Sequence, residues 1–503
     1  MNILVAAVLL NILAQFLPFA FDLTAGKTHS LSKSSKEIIS SVNDIITVKA
    51  YISGNLPAQL TPLKQTVKNI LDKYEKLSKG KIKISFYDPQ KDPKLEQEAL
   101  TTGITPLQFS SYEKDQFQMT QGFFGLAIFY ADQKEIIPAL QEINNLEYQI
   151  TAAINKITKE KLPQIAFSQG LGETESEKFQ NMEDFLQSNY KVAKVSLTEK
   201  EAELNKDIAA IIVVGAKEKL SSKAKFLLDQ YLMNGKGVII LNDKVTIAEG
   251  GLFGQEVNND LDDFLKYYGI GLEKSLIIDP SAALANFRSQ YGAFIIPYPF
   301  WVKLRPENVS REFPPTAAIE SAVFPWVSPL NLDKEAKPLL KTTAKAIATT
   351  AFSNLSPDQK WEEISGEKKQ FVIAALQTKG FDSFFAQNNE KDNLTKDTKT
   401  PEFKAEAGEI KLAVVGDSNF IEDQTTASYP ENAQFFMNLV DYLAADSKLI
   451  AIRSKTVFTR PLKMLDEKQK QMVRIINLVA GPVILMGIMM LVRIKRKKFE
   501  IRN

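Results

Sequence analysis

Apolar and polar positions alternate with two different periods along this chain. Ile45 to Ser53 (Ile-Ile-Thr-Val-Lys-Ala-Tyr-Ile-Ser) is β-branched and predicts a strand. Before it, Ser30 to Ser41 carries an N-cap serine and predicts a helix. Leu60 to Ser78 sets Val67, Ile70, Leu71, Tyr74 and Leu77 at helical spacing, Gly80 stops it, and Lys81 to Tyr87 alternates as a second strand. Strand, helix and strand so close together make a βαβ unit, most simply a parallel pair. A short helix near Pro93 to Leu100 and strands around Pro106 to Tyr112 and Gln118 to Tyr130 complete a small α/β domain. Its outline is thioredoxin-like, without redox cysteines.

A helix from Gln141 to Lys159 leads to a second stretch of alternation. Strands are expected at Gln164 to Ser168, Lys191 to Ser196, Ile208 to Val214 and Gly237 to Leu241, with helices at Glu175 to Ser188 and Ser221 to Met233. Ile-Ala-Ala-Ile-Ile-Val-Val-Gly and Gly-Val-Ile-Ile-Leu are continuous apolar runs, as expected of parallel strands buried on both faces. The pattern predicts a doubly wound α/β sheet. Gly250 to Pro329, rich in aromatics and prolines, is an insertion or a peripheral β layer. Two further strands are expected late, at Lys369 to Gln377 and Glu409 to Val415; a helix at Asn432 to Leu443 and a strand at Leu449 to Ile452 follow, and this last βα unit rejoins the same sheet. Gln387 to Gly408 is polar apart from Leu394 and Phe403 and is expected to be a flexible loop.

The two ends follow neither period. Met1 to Phe21 has no charged side chain, and Ile475 to Val492 is an uncharged run that stops at Arg493-Ile494-Lys495-Arg496-Lys497-Lys498. Eighteen residues reach about 27 Å as a helix, close to the thickness of a bilayer core, and the basic cluster marks a cytoplasmic end. Bulky residues stand where a signal peptidase wants small ones, so an uncleaved first span is expected. The layout expected is a span at 1–21, a small domain at 22–140, a linking helix at 141–160, and a doubly wound domain at 161–455 with its insertion at 250–330 and loop at 387–408. After these come a juxtamembrane segment at 456–474, a span at 475–492 and a basic tail at 493–503. Both termini are then cytoplasmic in the inner membrane, and the domains extracytoplasmic.

Composition narrows the chemistry. Lys plus Arg number 62 against 60 for Asp plus Glu, which gives no reason to expect nucleic acid. There is no cysteine, which removes disulfides, thiol nucleophiles and thiolate metal sites. The single histidine, His29, lies in a polar stretch, so the commonest general base and metal ligand is nearly absent. No Walker A sequence, Gly-x-Ser-x-Gly elbow or His-Glu-x-x-His occurs, and no cofactor is expected.

Three places remain. Gly170-Leu171-Gly172-Glu173 follows a strand and opens a helix, where open α/β sheets bind ligands and backbone amides hold anions; it is equally a tight turn capped by acidic residues. Gly416-Asp417-Ser418-Asn419 ends another strand, and its Asp417 and Asn419 suit a cation, a sugar hydroxyl or the amides of their own turn. Trp301, in the aromatic stretch Tyr291 to Trp301, stacks on sugars or partners if exposed and packs a core if buried.

Several segments together resemble GldG-like proteins, the auxiliary subunits of ABC transport systems associated with gliding motility. They are Asp22-Leu23-Thr24, His29-Ser30-Leu31-Ser32, Asp88-Pro89, Leu146-Glu147-Tyr148, Gly170 to Glu173, Val415-Gly416-Asp417-Ser418, Asn438-Leu439-Val440-Asp441 and Ile452-Arg453. One departure is Leu171, where such proteins commonly carry histidine. The resemblance implies a non-enzymatic ectodomain similar to class I glutamine-amidotransferase-like folds and to intraflagellar-transport domains, partnered by an ABC permease and an ABC ATPase in the lipid bilayer. Such a subunit would recruit a ligand or a periplasmic protein partner; two rivals stay open, a carbohydrate-binding module that takes a glycan with the Gly170 and Gly416 turns and Trp301 or Trp326, and a hydrolase working through Glu173 or Asp417.

Overall fold

The structure is a computed structural model. It describes residues 30–444 except 57–59, 114–115, 141–145, 160–161, 199–204, 248–252, 290–291, 318, 334, 351–353, 362–363, 388–390 and 398–402, together with 471, 472 and 474. The expected spans at 1–21 and 475–492 and the strand at Leu449 to Ile452 lie outside the described residues. Among the described residues no helix is long and apolar enough to cross a membrane. The chain divides into Met1–Thr459 and Arg460–Asn503, and the strands and helices between Lys33 and Leu443 all belong to the first unit.

Near the N-terminus, α1 (Lys33–Ser41), β1 (Ile46–Ile52), α2 (Thr61–Leu77) and β2 (Ile82–Tyr87) run as the pattern predicts, and β1 and β2 pair in parallel. Ser32 caps α1, its hydroxyl accepting from the Ser35 amide. After α3 (Pro93–Thr102) come four strands: β3 (Leu107–Glu113), β4 (Gln116–Gly122), β5 (Phe124–Tyr130) and β6 (Gln133–Ile137). β3 and β4 form their own ribbon, whereas β5 lies antiparallel to β1 and gives a sheet ordered β2-β1-β5-β6. α1, α2 and α4 (Leu146–Thr158) cover one face through Ile38, Leu71 and Ile154.

Two motifs far apart in sequence meet here. The Glu147 carboxylate accepts from the Ser32 amide and from Ser35 Oγ, both at 2.6 Å. Thr151, one turn along α4, bonds Ser35 and Tyr74.

The second sheet has nine strands. β7 (Gln164–Gln169), α5 (Gln180–Gln187), β8 (Lys191–Ser196), β9 (Ile208–Val214), α6 (Ser222–Met233) and β10 (Gly237–Leu241) follow the expected order. Its parallel part reads β8-β7-β9-β10, continued by β24 (Lys411–Val415), so the direction of winding reverses between β7 and β9. Alternate residues serve opposite faces. Ile239, Leu241, Ala413 and Val415 pack beneath α5 and α10 (Pro430–Leu443); Val238, Ile240, Leu412 and Val414 pack beneath α6. Burial on both sides explains why these strands are apolar without alternation.

Between β10 and β24 the chain builds a mostly β periphery. It contains β11 (Val245–Ile247) paired with β12 (Gly254–Glu256), α7 (Asp262–Tyr267), β13 (Ile270–Leu272) and β14 (Ser275–Ile278). A three-stranded layer comes next, β15 (Ala282–Ser289), β16 (Gly292–Leu304) and β17 (Ala322–Pro325). β18 (Leu330–Leu332), β19 (Lys337–Lys341) and β21 (Val372–Gln377) extend the large sheet, while β20 (Ile347–Thr350) pairs with β14. β21 runs antiparallel to β24.

The polar segment 387–408 differs from the loop expected. It holds α8 (Lys391–Asp397) and β23 (Glu406–Ala407), which pairs with β22 (Phe381–Asp382). Its two large apolar residues are the anchors, since Leu394 and Phe403 join Phe226 and Phe385 in a small cluster of their own. α9 (Asp423–Ser428) then leads into α10.

Candidate functional site

Every parallel strand of the large sheet delivers its following turn to one end, and the candidate residues other than Trp301 collect there. After β7, Gly170 and Gly172 adopt φ of +93° and +65°, folding the chain back on itself. Glu173 is consumed inside this turn: its carboxylate accepts from Ser168 Oγ and from the Leu171 amide, each at 2.7 Å. A short 3-10 turn, Ser176–Phe179, precedes α5, so the helix begins later than the sequence predicts. Leu171 is fully buried in the apolar layer under α6, which accounts for a hydrophobic residue at that position.

Beside this turn lies a cavity of about 350 Å³, lined by Gly170, Gly172, Glu173, Thr174, Lys194 and Val214 among others. Lys194 Nζ is held by Ser176 Oγ at 2.8 Å. Asp417, Asn419 and Trp301 are not among the residues that line it.

After β24, Asp417 turns inward and is fully buried. Its Oδ1 accepts from the Asn419 amide at 2.7 Å and from Asn419 Nδ2 at 3.0 Å. Asn419 Nδ2 also reaches Asp243 Oδ1 at 3.4 Å, so one amide bridges two carboxyl groups. Asp243, after β10, takes the Ser418 amide at 2.7 Å and a very short bond from Ser418 Oγ. Burial raises the Asp243 pKa, against the pull of Ser418 and of the Lys217 charge. Burial, then the neighbouring Asp243, hold the Asp417 carboxyl well above the ordinary range. Asp417 Oδ2 is buried with no hydrogen-bond partner among the described residues.

The two turns meet at Gly215, which ends β9 with φ +61°. A Cβ there would sit 2.5 Å from Thr174 Oγ1 and 2.8 Å from Ser418 Oγ, with Asp243 Oδ2 at 3.2 Å. Only glycine leaves room for both turns to close on the same point. Trp301 is elsewhere: half-buried on β16, it meets Trp326 edge to face with centroids 5.7 Å apart.

Asp243 and Gly215 were not singled out from the sequence, although a signal was present. Each follows an uninterrupted apolar strand: Gly215 stands level with Gly416, and Asp243 level with Asp417. Reading one such position predicts its neighbours once the strands are known to be parallel and adjacent.

Residues 162–445 match a family described as an ABC-type uncharacterized transport system, and that match covers more than half of the 503-residue chain. The chain belongs to this family. With it comes a role as an accessory component of an ABC transport system, and with that an association with the membrane. The family region spans β7 to α10 and so includes both turns, Gly215 and the cavity. Residues 25–129 match a domain of unknown function, DUF7088. An uncharacterized protein of Borreliella burgdorferi is 25% identical over 500 residues, covering 95% of this chain and 94% of the relative. Among solved structures, the mmIFT52 N-terminal domain aligns at 17% identity with a TM-score of 0.37, over 56% of this chain and 97% of that domain.

Proposed function

We propose that this protein is the non-enzymatic, extracytoplasmic accessory subunit of a bacterial ABC transporter, of the gliding-motility, GldG-like type. The segments 1–21 and 475–492 anchor it in the inner membrane with both termini cytoplasmic, and an ABC permease and an ABC ATPase are its partners. A small thioredoxin-like domain and a larger, glutamine-amidotransferase-like domain carry the contacts outside the cell.

One observation carries the binding role: the cavity beside Gly170 to Glu173 lies where the winding of the family's own sheet reverses between β7 and β9. Open α/β sheets take their ligands at that crevice. A binding rather than a catalytic role fits the two carboxylates that the sequence singles out. Glu173 already accepts two hydrogen bonds within its turn, and Asp417 is shut away from the cavity. The cavity wall offers the hydroxyls of Ser168, Thr174 and Ser176, the Gln169 amide, the Glu175 and Glu177 carboxylates and the Lys194 ammonium, a mixed polar set that suits a hydroxyl-bearing ligand and keeps a glycan among the readings.

Purifying the full-length protein from its own membranes in mild detergent tests the transporter reading. A permease and an ABC ATPase recovered in fixed ratio support it. Recovery of neither, where other transporters stay intact, overturns it and leaves a stand-alone carbohydrate-binding or scaffold protein. Glycan binding lost on Thr174→Val places the ligand in the β7 cavity; loss on Trp301→Ala instead places it on the β16 layer.

A further inference from the structure

Lys244, just past β10, has a side chain with no exposed surface, which is rare for lysine. Two side chains face its ammonium. Asp262 Oδ1, at the start of α7, lies 2.5 Å from Nζ as an ion pair and has no other partner among the described residues. Asn259 Oδ1 accepts from Nζ at 3.4 Å. The β11–β12 hairpin brings the three together: the Val257 amide donates to the Lys244 carbonyl at 2.9 Å, and Asn259 follows two residues later. Asp260, with φ +56°, then turns the chain into α7. Asn259 is itself fully buried and firmly held. Its carbonyl accepts from the Leu220 amide at 3.0 Å, and its Nδ2 donates to Ala216 O at 2.8 Å and to Asn242 Oδ1 at 2.7 Å. The carboxamide thus offers its oxygen end to the amine and points its nitrogen elsewhere.

An amine, a carboxamide and a carboxylate enclosed together can do more than pair charges. We infer that Lys244 and Asn259 join in an isopeptide bond once the chain has folded. Asp262 takes a proton from the ammonium, and the freed amine attacks Asn259 Cγ. The Nζ–Cγ bond forms and the Cγ–Nδ2 bond breaks. The departing nitrogen takes one proton from Nζ and the proton held by Asp262, and leaves as ammonium. No oxidant or further reactant enters. Fixed placement supplies the effective concentration that free lysine and asparagine lack in water. The reaction also removes a buried charge, which is costly to keep. The Asp262 side chain, 41% exposed, can then face water. In a chain without cysteine, such a bond closes the loop around the β11–β12 hairpin as a disulfide would, and pins the turn carrying Asp243 to the start of α7. Its formation requires neither a ligand nor a transporter partner.

Mass spectrometry of the full-length protein, purified from its own membranes, denatured and digested with trypsin, tests this on the wild type alone. No Lys or Arg occurs between Val245 and Leu265. The bond therefore leaves one peptide, Gly237–Lys266, uncut at Lys244 and lighter than its sequence by one ammonia. Further cleavage after Glu249 and Glu256 leaves the fragments that carry Lys244 and Asn259 still joined. Asp262→Asn keeps the size and removes the proton acceptor, so its peptides are cut at Lys244 and have full mass. Asp263→Asn, whose carboxylate pairs with Lys225 at 2.8 Å, keeps the bond. A wild-type peptide of full mass, cut at Lys244, means that the trio is an ion pair only and overturns the inference. Loss of one water with Lys244 joined to Asp262 overturns it too, as does a bond that still forms in Asp262→Asn.

Discussion

Asp229 and Asp417 are both fully buried in the region of the large sheet, and they are held in opposite ways. Asp229, on α6, receives Tyr268 Oη at 2.5 Å, Ser383 Oγ at 2.7 Å, the Phe384 amide at 2.7 Å and Gln230 Nε2 at 2.8 Å. Burial raises its pKa, but four donors pull against that rise. Asp417 has only Asn419 to pull down, and the nearby Asp243 pushes the same way as burial. A carboxylate surrounded by donors fastens α6 to the end of α7 and to the 383–385 turn. One left with an idle oxygen beside another acid is stored strain at the end of the sheet where ligands are expected.

Removing each group separates the two cases. Asp229→Ala strands a hydroxyl, a phenol and an amide in the interior, and is expected to cost about 3–5 kcal/mol in denaturant unfolding of the full-length protein. Gly215→Ala comes next, at about 1–3 kcal/mol, because the added methyl meets Thr174 and Ser418 on a left-handed backbone. Asp417→Asn has the opposite sign. A raised folded pKa means that the native state holds its proton more tightly than the unfolded chain. The contribution of Asp417 to stability is therefore full below about pH 4 and falls as the pH climbs toward the folded value. The asparagine variant is expected to gain on the order of 1 kcal/mol at pH 8 and nothing at pH 3.5. An equal loss at both pH values would place Asp417 with Asp229. Smallest is Glu173→Gln, about 0.5–1.5 kcal/mol, since one of its two acceptor oxygens becomes a donor.

Much of the large sheet was legible because its strands are buried on both faces: β9 and β10 are apolar throughout, and β7 and β24 are apolar between their ends apart from Ser168. The ribbon strand β4 was harder to delimit because Gln116–Gly122 is polar at most positions, and α8 because only Leu394 and Phe403 mark its packing. The motifs carrying the family resemblance proved to include contacts remote in sequence. Glu147 reaches Ser32 and Ser35, and Asp441 Oδ1 accepts from Tyr190 Oη at 2.7 Å. Local spacing contains no trace of such partners. The same limit hid Asp243, whose significance depends entirely on β10 lying next to β24.

Gly215 has a consequence for how this sequence can change over generations. Thr174 and Ser418 stand 244 positions apart in the chain, yet both face the space of one absent methyl group. A bulkier residue at either position consumes the other's clearance, so accepted substitutions in the two turns will be correlated, and a chimera joining them from different ancestors inherits a clash that neither parent carries.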